Sequence, residues 1–165
     1  MKKSLIFAAI ILVMTLAFAA SASAEGNWTA QTSGTTNALY SVSFKNATNG
    51  LAVGASGTVS KTTDGGANWA TPPSGVPSYI ALYSVYFVDA NIGWIVGQYG
   101  VIIKLTGATA ATQTSGTTNA LYSVHSVNAS TGWAVGASGT IRATSDGGAN
   151  WGAQTSGTEI GRAHV

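Results

Sequence analysis

Two kinds of apolar pattern share this chain. From Leu5 to Ala20 nearly every position is apolar and no period can be read. After Ala24 the apolar residues fall in short runs cut by Gly, Ser, Thr, Asn and Asp. "LYSVSF" (39–44) alternates, which predicts a strand with Tyr40, Val42 and Phe44 on one face. "NATNG" (46–50) is a turn cluster, "LAVGA" (51–55) a second strand, Ser56-Gly57 a tight turn and "TVSKTT" (58–63) a third strand. Asp64-Gly65-Gly66 then turns the chain, and Trp69 opens a fourth strand. No stretch beyond residue 24 carries a convincing helical period.

This series repeats. "QTSGTTNALYSV" occurs at 31–42 and again at 113–124, and "DGGANW" at 64–69 and 146–151. Tyr40, Tyr83 and Tyr122 each lie between a Leu and Ser-Val, and Gly54, Gly97 and Gly136 each follow a Val. The unit is about 41 residues long, and aligning 29–69 with 111–151 gives 29 identities in 41 positions. The copy over about 70–110 diverges: it keeps Gly93-Trp94-Ile95-Val96-Gly97 but replaces "DGGANW" by "TGATA" (106–110). Four short antiparallel strands per unit is the footprint of a β-propeller blade. The expected fold is all-β: a partial propeller of about three four-stranded blades, near 39–71, 82–113 and 121–157.

The phase of the repeat adds an expectation. "GNW" (26–28) matches "ANW" (67–69), so Trp28–Ser33 reads as the last strand of a blade that another part of the ring completes. Rings use about four to eight blades, so three are expected to belong to a larger ring. The tail fits this. "QTSGT" at 154–158 breaks off into "EIGRAHV" where it twice continued as "TNALYSV", and that heptapeptide back-translates into a common short-read sequencing adapter. Residues 159–165 are therefore expected to be adapter read-through, and Glu159, Arg162 and His164 carry no functional weight.

The leading apolar run has the form of an export signal: Lys2 and Lys3 before it, Ala22-Ser23-Ala24 after it, and fewer residues than the roughly 20 a spanning helix needs. Residues 1–24 are expected to be removed, leaving a periplasmic, thylakoid-lumenal or extracellular chain with no membrane span. This changes the charge. The formal +2 of the whole chain comes from the signal, because residues 25–158 balance Lys45, Lys61, Lys104 and Arg142 against Glu25, Asp64, Asp89 and Asp146. Such a chain lacks the cations that neutralise phosphates, so no nucleic-acid partner is expected. It has no cysteine, which excludes disulfides, thiolate metal sites and a thiol nucleophile.

Thr62-x-Asp64-x-Gly66-x-Asn68-Trp69 and Thr144-x-Asp146-x-Gly148-x-Asn150-Trp151 resemble the Asp-box of bacterial neuraminidase-type repeats. The wider phrase "GWAVGASGTIRATSDGGANW" (132–151) resembles the repeat of the photosystem II stability/assembly factor family, over about 28–158. The resemblance implies a seven-bladed propeller that binds proteins without catalysing a reaction, with photosystem II subunits as partners. It also implies that Thr62, Asp64, Gly66, Trp69, Thr144, Asp146, Gly148 and Trp151 are structural. Asp-boxes also occur in sialidases, but a sialidase-like site needs an arginine cluster and a Tyr–Glu pair, and the native mature region has one Arg, Arg142, and one Glu, Glu25. A surface adhesin or carbohydrate-binding propeller is the alternative reading.

Little else points to chemistry. His125 has no second His in the native region, so a metal site lacks partners, and no catalytic residue, metal or cofactor is expected. Trp94 and Trp133 occupy one repeat position and are expected between blades. The Pro-rich insert "PPSGVPSY" (72–79) departs from the repeat as a face loop, and Tyr79 and Tyr99 are the candidate binding residues.

Overall fold

A computed structural model of the chain describes residues 29–157. The expected signal peptide (1–24), Trp28 and the expected adapter residues (159–165) lie outside the described residues. The chain divides into two units, Met1–Ala30 and Gln31–Val165. Of the first, Thr29 and Ala30 are described and belong to no element; every strand belongs to the second.

Three antiparallel sheets form three blades. The first contains β1 (Leu39–Phe44), β2 (Gly50–Gly54) and β3 (Val59–Thr62). The second contains β4 (Leu82–Phe87), β5 (Ile92–Gly97), β6 (Ile102–Thr106) and β7 (Thr109–Gln113). The third contains β8 (Leu121–Ser126), β9 (Gly132–Gly136), β10 (Ile141–Thr144) and β11 (Gly152–Gln154). Each is a meander in which sequential strands pair, and β1, β4 and β8 lie side by side at the inner ends of the blades.

The fourth strand of the first blade differs from the expectation. Ala70 exchanges both backbone hydrogen bonds with Lys61, at 2.7 and 2.9 Å, and the pairing stops there. Pro72 and Pro73 follow at once and have no N–H to continue a ladder. In the third blade, where no proline intervenes, Gly152–Gln154 complete a true strand. Residues 29–33, read as strand, form none; Ser33 offers its carbonyl to Ser60 Oγ at 3.0 Å. The insert is anchored rather than loose. Ser74 Oγ donates to the Gly57 carbonyl at 2.7 Å, and the Gly57 N–H donates to Ile80 at 2.7 Å.

Strict alternation fails in the first strand of every blade. The register shifts after Leu39, Leu82 and Leu121, so the following tyrosine is bulged out. Leu82 and Val85, three apart, are then both buried in the core, where simple alternation would have put them on opposite faces. The repeated Val-Gly has its reason here. A Cβ on Gly54, Gly97 or Gly136 would run into the carbonyl of Ala38, Ala81 or Ala120. That same carbonyl accepts the N–H of the next residue at 2.8 Å in all three blades.

The core lies between blades. Val53, Leu82, Val85, Ile95 and Ile103 fill the first junction. Trp94, Val96, Ile102, Leu121, Val124, Ala134 and Trp151 fill the second. Repeat-equivalent residues on the outer faces of the set are uncovered: Val42 is 57% exposed against 4% for Val85 and Val124. Trp133 is likewise 39% exposed against 1% for Trp94. Of the two tryptophans expected between blades, only Trp94 therefore lies there among the described residues, because no blade packs on the Trp133 side.

Candidate protein-interaction surface

The two Thr-x-Asp-x-Gly turns are closed hydrogen-bond units. In the first, Thr62 Oγ1 donates to Asp64 Oδ1 at 2.8 Å and accepts the Gly66 N–H at 2.9 Å. Asp64 Oδ1 also accepts the Asn68 N–H at 2.9 Å, and Oδ2 accepts Asn68 Nδ2 at 2.8 Å. The second turn repeats this: Thr144 to Asp146 at 2.8 Å, Gly148 N–H to Thr144 at 2.9 Å, and Asn150 to Asp146 at 3.0 and 2.7 Å. Gly65 and Gly66, at φ of 76° and 94°, bend the chain so that the N–H four residues on returns to the carboxylate. Asn68 and Asn150 of the motif complete the unit, a role that the sequence pattern did not assign to them. The Asn68 amides, then Thr62, hold the Asp64 carboxyl down at about 2. The Asn150 side chain and N–H, then Thr144, hold Asp146 at about 2. Such carboxylates stay ionised and saturated with donors at neutral pH, a poor starting point for proton transfer.

Trp69 and Trp151 leave these turns differently. Trp69 is half-buried and meets Phe44 edge to face, centroids 6.0 Å apart. Trp151 is buried and meets Trp94 edge to face at 5.3 Å. Neither the Trp94 nor the Trp151 indole N–H finds a protein acceptor.

Tyr40, Tyr83 and Tyr122, marked in the sequence only as repeat positions, form a continuous row across the inner strands, with centroids 5.8 and 5.3 Å apart. The bulges put them there. His125 is exposed and packs on the partly buried Tyr86 at 4.5 Å; no group of metal-ligating residues occurs among the described residues. Tyr79, in the insert, is 71% exposed. Tyr99 is 58% exposed and sits at φ 57°, where the other blades place Ser56 and Ser138. That left-handed conformation disfavours a bulky side chain. No ring contact joins Tyr79 or Tyr99 to the row. Among the described residues no helix is long and apolar enough to cross a membrane.

Meandering blades that bury their apolar residues against each other, with inner strands adjacent, define a β-propeller protein. More narrowly, the chain belongs to the family of photosynthesis system II assembly factor YCF48, whose model matches residues 19–111. Among solved structures it is similar to YCF48 bound to a D1 peptide, at 25% identity and a TM-score of 0.67, covering 73% of this chain and 42% of that one. YCF48 from Cyanidioschyzon merolae is similar in fold, at 23% identity and a TM-score of 0.62, over 71% and 39% of the two chains. The chain thus spans about two fifths of the length of these structures. No curated protein matches it.

Proposed function

We propose that this chain forms part of an exported, non-catalytic propeller that assists photosystem II assembly by holding a peptide segment of a photosystem protein. The observation that carries this reading is membership of the YCF48 family, together with a similar fold solved with a D1 peptide. The tyrosine row supports it, because tyrosine buries a large surface in an interface and keeps a hydroxyl for hydrogen bonding. Its outer members are half exposed, Tyr40 at 50% and Tyr122 at 54%. Catalysis is not part of the reading: the turn carboxylates are committed to structure.

The binding test is a fluorescence-anisotropy titration of labelled D1 peptide with the full chain. Saturable binding, weakened several-fold by Tyr83→Ala, is the expected result; a flat titration would refute the reading. Export is tested separately by the mass of the protein secreted from a Sec-competent host. A mature chain beginning at Glu25 is expected, and an uncleaved Met1 form retained in the cell contradicts it.

A further inference from the structure

The two junctions between blades use the same positions and fill them differently. Leu51 stands where Trp94 stands, since Leu51 pairs with Lys61 as Trp94 pairs with Lys104. Ala110 stands where Trp151 stands, because Ile102 opposite Gln113 and Ile141 opposite Gln154 put β7 and β11 in equivalent register. At the second junction the two indoles meet, and Lys104 closes the site. Its Nζ lies 5.5 Å from the Trp94 ring centroid and donates to the Gly147 carbonyl at 2.6 Å.

At the first junction both indoles are gone, and a cavity of about 350 Å³ is left. Leu51, Phe87, Leu105 and Ala110 give it apolar walls. Phe87 occupies the place that Phe44 holds in the first blade, but Ala110 supplies no ring like Trp69 for it to meet. Lys61, the counterpart of Lys104, lines the cavity without an equivalent bond to the opposite turn, and Lys45 lines it too. No acidic residue does. Ligand pockets begin at about this volume and combine apolar walls with a few polar groups.

We propose that this junction is a binding pocket for an acidic peptide, which inserts an apolar side chain between the first two blades and sets a neighbouring carboxylate against Lys45 and Lys61. The proposal rests on the peptide-binding reading above and adds a place and a chemistry to it. Lysine and carboxylate supply the charge match, and the missing indoles supply the space.

The test uses the full chain and labelled octapeptides with Leu-Glu, Leu-Gln or Gly-Glu at the centre of a Gly/Ser frame, titrated by anisotropy alongside the D1 peptide. Leu-Glu is expected to bind best. Lys61→Gln, at an exposed position that leaves the fold intact, should weaken Leu-Glu roughly two- to fivefold and erase its advantage over Leu-Gln. Ala110→Trp should refill the cavity, raise Tm and abolish Leu-Glu binding. The pocket is overturned if wild type binds the three octapeptides equally or not at all, or if Lys61→Gln and a folded Ala110→Trp bind Leu-Glu like wild type. The two readings separate cleanly. D1 peptide binding that survives in both variants, together with lost pocket dependence of Leu-Glu, leaves the function standing and removes the pocket. Pocket-dependent Leu-Glu binding with no D1 binding does the reverse.

Discussion

Thr62 and Thr144 sit at the centre of the turns that fix blade register, buried and each accepting a glycine N–H while donating to an aspartate. Thr144→Val keeps the shape, removes the hydroxyl's bonds to Asp146 and Gly148 and leaves the buried Gly148 N–H unpaired. A loss of about 1–3 kcal/mol in denaturant melts is expected. The aspartates give a pH dependence with a definite sign. Their folded pKa of about 2 lies below the ordinary 3.8, so the stability they contribute is complete above pH 3.8 and fades as pH falls towards 2. Thermal melts should show Tm dropping through that window, and Asp64→Asn with Asp146→Asn should flatten the drop; an unchanged acid limb in the double variant would contradict it. At this scale the sequence exposed the spacing of the turn but not all its partners. The glycines swing the Asn68 and Asn150 amides back onto the carboxylates from four residues on, which the spacing alone does not reveal.

Strands were legible because apolar runs, Gly-rich turns and a 41-residue period all agreed. Side-chain direction within them was less so. Alternation put Tyr40, Val42 and Phe44 on one face; the bulge after Leu39 leaves no mark in an apolar/polar pattern, yet it decides which residue enters the core and which joins the tyrosine row. The fourth strand of the first blade was over-read for a simpler reason, since Pro72-Pro73 lie just beyond the repeated phrase and stop its ladder. Packing between elements gives a sharp contrast to measure. Trp94→Ala empties the filled junction and should cost about 3–5 kcal/mol. Trp133→Ala, at the same repeat position on an uncovered face, should cost far less; equal losses would mean that Trp133 is buried after all.

At the scale of the molecule, the two outer faces show what a propeller blade normally hides. Val42 on one side and Trp133 and Val135 on the other are exposed apolar residues at repeat positions that pack between blades elsewhere. The full chain is therefore expected to self-associate with rising concentration, and Val42→Lys with Trp133→Lys to reduce it, as read by static light scattering. A variant that associates like wild type would place the contact elsewhere. The pocket at the first junction belongs to this scale as well. It could not be read from either blade alone, because it arises where Leu51 of one and Ala110 of the next replace a pair of tryptophans.

The central claim is that these blades recognise a peptide. Hydrogen–deuterium exchange of the full chain with and without saturating D1 peptide tests it most directly, since it reports both binding and place. Slower exchange confined to the inner strands β1, β4 and β8 or to the junction strands β3 and β7 is the expected result. Exchange that the peptide leaves unchanged throughout the three blades would contradict the account.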